Sequence, residues 1–225
     1  VPFLVDRYIA QTSPVATAHS LTHAVRKCVR ERFDMERHGG KILSDQLEKL
    51  GVKRVFSVPG ESFLAALDGL YESGIQNVVC RQEGGAAMMA EAYGKMTGEA
   101  GVCFVTRGPG ACNASAGVHV AMQDSTPMVL FVGQIDNRQT DRETFQEVDY
   151  RAMFGGLAKW VAQVDDTERL PEYIARAFRV AKSGRPGPVV LALPENMLSA
   201  RADVPDFSGQ VSHGAGRVGP DVLSA

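Results

Sequence analysis

The chain has 225 residues, a formal net charge of −2, 44% hydrophobic residues and 23 glycines. That suffices for one large domain, alone or with tails, and the near-neutral balance gives no electrostatic footing for nucleic acid or an anionic membrane. Four cysteines (Cys28, Cys80, Cys103, Cys112) form neither a CxxC pair nor a metal-ligand spacing with histidine, which suits a reducing, cytoplasmic interior and points to no metal site. No apolar run approaches the roughly 20 residues that span a bilayer; the longest, such as Met128 to Gly133, are strand-sized.

Residues 1–38 are mildly basic and rich in Ser, Thr and Ala. A targeting peptide would share that composition, but Asp6, Glu31, Asp34 and Glu36 count against one. The favoured reading places the natural start at Met35 and treats 1–38 as an extension outside the fold.

From Gly39 the pattern is regular. Ile42, Leu43, Leu47 and Leu50 fall at helical spacing, with Gly51 as a C-cap. Arg54 to Val58 reads as a strand halted by Pro59-Gly60. A helix over Ser62 to Tyr71 follows, with Phe63, Leu64, Leu67 and Leu70 on one face, then a strand at Asn77 to Cys80. The alternation continues with a helix from about Gly85 to Thr97, a strand at Val102 to Thr106, a helix to Gln123 and a strand at Met128 to Val132. Residues 134–156 interrupt it with a polar segment. It resumes with a strand at Trp160 to Val164, a helix at Leu170 to Ala181 and a strand at Pro188 to Leu193. Alternation of helices with apolar strands predicts an α/β fold: three αβα layers around a doubly wound, mainly parallel, six-stranded sheet. The domain is expected over 39–198, and the aperiodic, Gly- and Pro-rich composition after Glu195 reads as linker, placed at 199–225.

In such sheets ligands sit beyond the carboxyl ends of the strands. Four segments fall there: Pro59-Gly60, Arg81 to Gly85, Thr106 to Gly110 and Gly133-Gln134. Arg107-Gly-Pro-Gly110 opens a helix as phosphate-binding turns do, yet its spacing is neither GxGxxG nor GxxxxGK[ST], so a dinucleotide or P-loop reading fails and a plain strand-to-helix turn stays open. Glu83, just before a helix, has a capping role open to it; the two glycines after it clear more space around the carboxylate than a cap needs.

Taken together, Arg81-Gln-Glu-Gly-Gly-Ala-Ala-Met-Met-Ala-Glu-Ala-Tyr-Gly94 and Val105-Thr-Arg-Gly-Pro-Gly-Ala-Cys-Asn113 resemble the aminopyrimidine-binding (Pyr) domain of thiamine-diphosphate enzymes related to acetolactate synthase. Phe56 to Gly60, Asp124 to Gln134, Thr144 to Asp149 with Lys159-Trp160, and Ser183 to Pro194 match in the same order. The resemblance covers 39–198 and is silent on 1–38.

It implies a glutamate, Glu83, that hydrogen-bonds N1′ of the cofactor's aminopyrimidine and so favours the imino tautomer that takes the C2 proton. It implies cofactor contacts from Pro59, Gly60, Thr106, Gly108, Pro109 and Asn113, and places Gln123, Gln134, Phe145, Gln146 and Lys159 on the substrate or flavin side. Thiamine diphosphate and Mg2+ are the implied cofactors, with room for FAD. The implied substrate is a small 2-oxo acid, and the implied partner is the diphosphate-binding domain of a second subunit in a homodimer or tetramer. Glyoxylate carboligase, oxalyl-CoA decarboxylase and benzaldehyde lyase are alternative members, and a non-catalytic cofactor-binding module is an alternative class. Arg107 departs from the pattern, standing where many relatives carry a small residue. The family's metal-anchoring Gly-Asp-Gly occurs nowhere in these 225 residues, so the expectation is a segment inactive by itself.

Overall fold

Six runs of mostly apolar residues become one sheet, and every pairing in it is parallel. In a computed structural model, which describes residues 36–207, the strands are β1 (Arg54–Ser57), β2 (Gln76–Val79), β3 (Gly101–Val105), β4 (Met128–Gln134), β5 (Trp160–Gln163) and β6 (Pro188–Pro194). Their order is β2-β1-β3-β4-β6-β5. The chain steps from β1 outward to β2, then returns to the far side of β1 with β3, so the winding reverses between β1 and β3. A crevice opens at such a reversal because the connections leave it on opposite faces. Cys28, Met35 and residues 208–225 lie outside the described residues.

Alternation along the strands divides the core. Val102 and Phe104 face α1 (Gly39–Lys49), α2 (Leu64–Tyr71) and α6 (Leu170–Lys182). Cys103 and Val105 face α3 (Glu83–Thr97), α4 (Pro109–Gln123) and the short α5 (Tyr150–Phe154). The result is three layers, αβα, with the sheet central, as the α/β periodicity predicts. Stacked Phe63, Phe104 and Phe131 fill the first half of the core. None of the described helices is long and apolar enough to cross a membrane.

Three local expectations are corrected. Leu64, expected in the core, is 61% exposed. The inward row is Phe63, Ala66, Gly69 and Leu70, because α1 and α2 touch backbone to backbone: a Cβ at Gly69 would lie 2.3 Å from the Gly40 carbonyl oxygen. The helix also starts tighter, with a 3₁₀ turn at Glu61–Phe63. The chain after Glu195 is not loose linker throughout. Glu195–Ser199 forms α7, which buries Met197 and Leu198. Beyond it Ala202 is buried, and Phe207 exchanges two hydrogen bonds with the Gln46 side chain, 2.7 and 3.1 Å. Two apolar residues in a Gly- and Pro-rich context carry too little periodicity to announce a helix.

Helix and sheet pack closely enough that some glycines are obligatory. A Cβ at Gly101, at the head of β3, would sit 1.8 Å from the Ala90 carbonyl oxygen, whereas one at Gly156 would meet nothing within 4 Å. We expect Gly101→Ala to cost about 2–3 kcal/mol and Gly156→Ala to stay within about 0.5 kcal/mol. Chemical denaturation of the two variants checks this, and equal costs would refute the close approach.

Candidate functional site

The turns that follow β1, β2 and β3 meet at the reversal. After β1 the chain runs through Pro59 into Gly60, which is extended (φ −153°, ψ 153°). A Cβ at Gly60 would lie 2.5 Å from Thr106 Cβ, so the first and third turns touch only because residue 60 has no side chain. Thr106 Oγ1 pairs with Ser62 Oγ at 2.8 Å, and the Arg107 amide donates to the same Ser62 Oγ at 3.3 Å. Gly108 takes a positive φ of +59° as the N-cap of α4, and Pro109 fills the first helical position, where its missing N–H is not needed.

Glu83 is the first residue of α3 rather than a residue ahead of it. The capping role falls to Gln82, whose Oε1 accepts from the Gly85 amide at 2.8 Å. Glu83 is therefore free of that duty, and its carboxylate lies at the amino end of α3. It is half-buried. Asn113, one turn into α4, donates from Nδ2 to Glu83 Oε2 at 2.9 Å. The other oxygen, Oε1, faces Gly110, where a Cβ would come within 3.5 Å. The chain thus holds one carboxylate oxygen in place and keeps side chains away from the other. Gly60, Thr106 and Gly110 thus form a wall with few side chains, and the steered carboxylate stands at its edge.

Arg107 reaches the other way along the strand ends. Its Nη2 meets Glu61 Oε1 at 2.9 Å and its Nη1 meets Glu195 Oε2 at 3.5 Å, tying the turns after β1, β3 and β6. The side chain is 11% exposed, and its Nε is buried without a hydrogen-bond partner. The cation on this turn is thereby answered by two carboxylates of the same edge.

The residues expected on the substrate side divide. Gln134 ends β4 at this edge, but its side chain is spent on the backbone: Nε2 donates to the Val148 carbonyl at 2.9 Å and Oε1 accepts from the Ile135 amide at 3.0 Å. It lines a cavity of about 280 Å³ with Tyr150, Asp149 and Gln163, away from Glu83. Gln146 (φ +67°) packs on Gly108, where a Cβ would be 2.8 Å from Gln146 Cβ. Phe145 beside it is 76% exposed.

Gln123 and Lys159 are not brought to this edge. Gln123 is the last residue of α4, roughly 20 Å along the axis from its start at 1.5 Å per residue, and its carbonyl accepts from Arg185 at 3.1 Å. Lys159 precedes β5, at the amino end of the parallel strands. Its Nζ donates to the Val180 and Ser183 carbonyls at 2.5 and 2.7 Å, closing the end of α6, and burial lowers its pKa. Strand polarity is the reason: in a parallel sheet, residues before a strand and residues after one lie at opposite ends.

Sequence reasoning missed Ser62, Gln82 and Tyr150. Gln82 carried a weak signal, a hydrogen-bonding side chain just ahead of a helix; Ser62 and Tyr150 carried none. Tyr150 is 3% exposed, and its hydroxyl oxygen accepts from the Gly108 amide at 2.9 Å.

This reversal, with its glycine-lined turns and oriented glutamate, sits in a doubly wound α/β domain, and residues 37–153 match the family described as thiamine pyrophosphate enzyme, N-terminal TPP binding domain. The chain belongs to that family. It is 39% identical over 167 residues to the acetolactate synthase isozyme 2 large subunit of Escherichia coli K12, covering 74% of this chain and 30% of that protein. It is 36% identical over 169 residues to a probable acetolactate synthase large subunit of Methanocaldococcus jannaschii, covering 75% and 29%. It is 38% identical over 178 residues to the mitochondrial acetolactate synthase catalytic subunit of Aspergillus candidus, covering 79% and 26%. The chain thus spans less than a third of the length of these relatives.

Burial pushes the Tyr150 hydroxyl up to about 12, against the lowering pull of the Gly108 amide. An unfolded tyrosine titrates near 10. The buried neutral phenol therefore contributes stability in full below about pH 10 and loses it as pH rises through about 12. Urea unfolding of wild type and Tyr150→Phe at about pH 8 and about pH 11 should show wild type losing more stability than the variant, by up to ~1.4 kcal/mol per pH unit. Parallel pH dependences would contradict the assignment.

Proposed function

We propose that this chain is the aminopyrimidine-binding and aminopyrimidine-activating part of a thiamine-diphosphate-dependent carboligase or decarboxylase acting on 2-oxo acids, most like acetolactate synthase. The observation that carries the reading is the Glu83 carboxylate, held by Asn113 at 2.9 Å beside the Gly60–Thr106–Gly110 wall. Membership of the family and the acetolactate synthase relatives support it.

When bound, thiamine diphosphate supplies a thiazolium that accepts the electron pair released as a 2-oxo acid loses CO2. The chain's own residues do the rest of the work described here. Glu83 would hold a proton for N1′ of the aminopyrimidine and exchange it there; a carboxyl group can do both, and a carboxamide cannot. Asn113, donating to Oε2, orients the carboxylate and leaves Oε1 for that exchange. Pro59, Gly60, Thr106, Gly108 and Pro109 would form the wall against the ring and exclude water from it.

The proposal assigns the diphosphate and its Mg2+ to a separate domain from a second subunit of a homodimer or tetramer, leaving residues 39–198 without turnover by themselves. FAD, where present, would also sit outside these residues. The setting proposed is the cytoplasm. Burial pushes the Cys103 thiol up, keeping it neutral and unreactive there.

The test uses the full-length protein with thiamine diphosphate and Mg2+, following C2 proton exchange by acid-quench NMR and CO2 release from pyruvate, glyoxylate and oxalyl-CoA. Glu83→Gln should slow C2 exchange by about 10²- to 10⁴-fold while the melting temperature holds. Exchange at the wild-type rate in that variant would remove the assignment, and the substrate that releases CO2 fastest selects among the family's activities.

A further inference from the structure

We propose that Tyr150 is a positioning residue for Glu83, acting through the amino end of α4 and Asn113. The inference rests on the reading of Glu83 given above and extends it to a side chain from a different part of the chain.

The start of α4 carries a deficit. A helix begins with N–H groups that have no carbonyl within the helix to accept them; a side chain at the N-cap ordinarily answers the second or third, and the amide of the N-cap residue itself needs an acceptor from outside the helix. The N-cap of α4 is Gly108, which has no side chain to offer, and no side-chain cap forms within the helix. Gly108 is needed there for its positive φ and because Gln146 packs where a Cβ would go. The buried amide of Gly108 must then find an acceptor elsewhere or carry the cost of burial without one. Tyr150 supplies it across 42 residues of sequence, its hydroxyl oxygen accepting at 2.9 Å.

Tyr150 is held firmly enough to serve as a reference point. It opens α5, whose N-cap Asp149 accepts from the Arg151 and Ala152 amides at 2.9 and 3.1 Å. Its ring is 3% exposed and stacks on Phe154. From Gly108 the helix carries the constraint onward. Cys112 N–H closes the first helical hydrogen bond to the Gly108 carbonyl at 3.0 Å, and the next residue is Asn113, donating to Glu83 Oε2. A shift of the helix start is passed to Asn113 within one turn. The Tyr150 hydroxyl therefore sets where α4 begins, and α4 sets how the Glu83 carboxylate is aimed. Misplacing a reacting group by about 1 Å can cost on the order of 10²-fold in rate.

Tyr150→Phe removes the hydroxyl and keeps the ring. In the full-length protein with thiamine diphosphate and Mg2+, C2 proton exchange should slow about tenfold, an effect expected of one lost hydrogen bond. In an Asn113→Ala background the same substitution should change exchange by less than about twofold, since the route to Glu83 is already cut. A purely structural role would lower stability and slow exchange equally in both backgrounds, which would overturn the proposal. So would unchanged exchange in Tyr150→Phe alongside collapse of exchange in Glu83→Gln, an outcome that leaves the functional reading standing. Should Glu83→Gln itself exchange normally, both readings fall. If Tyr150→Phe does not fold, Asp149→Ala removes the cap of the helix that holds Tyr150 and is expected to slow exchange several-fold in wild type but less than about twofold in the Asn113→Ala background; equal slowing in both, or exchange at the wild-type rate, overturns the proposal as well.

Discussion

Two helices can lie against each other at backbone distance only where side chains are missing, and α3 and α4 meet in that way. A Cβ at Gly117 would stand 2.5 Å from Ala87 Cβ, and one at Gly84 would stand 3.1 Å from the Asn113 carbonyl oxygen. Ala86, Ala87 and Ala90 on one helix and Ala111, Ala114 and Ala121 on the other complete the small-residue faces. This closeness brings Asn113 to Glu83. Larger residues along the seam would part the helix starts and leave the carboxylate to the solvent. The chemistry assigned to Glu83 thus depends first on packing.

The edge that carries the site also shows how the fold distributes charge. Glu83 is oriented by a neutral amide, whereas Arg107, on the turn beside it, is paired with Glu61 and Glu195. Through Arg107 the two glutamates bind three turns together. Both glutamates are more than half exposed, so the pairs contribute geometry more than stability.

Much of the architecture was legible because it follows from short-range periodicity. Apolar runs of strand length alternating with helical stripes specify a parallel sheet with covered faces, and a parallel sheet places its ligand-binding turns at one edge. Glu83, Gly60, Thr106 and Asn113 could be singled out since they stand in or beside such turns, within motifs that resemble a known family. What stayed illegible depends on contacts between distant residues. Nothing around Tyr150 signals that its hydroxyl caps a helix beginning 42 positions earlier. Gln134 was expected on the substrate side, yet its side chain is consumed in anchoring the segment after it. Lys159 and Gln123 were grouped with the site by family resemblance, while strand and helix direction put them at the far end. Leu64 was misplaced because the pattern of apolar residues does not reveal that Gly40 and Gly69 draw α1 and α2 together.

The contact between Gly60 and Thr106 restricts how the protein can drift. A methyl group at residue 60 has no room while threonine occupies 106, so any lineage that acquires alanine at 60 must first have trimmed 106. That trimming gives up the hydroxyl that pairs with Ser62. Each intermediate on such a path loses a contact before it gains one. The two positions are therefore linked in their history as they are in space, and substitutions there should arrive as pairs, in a fixed order, or not at all.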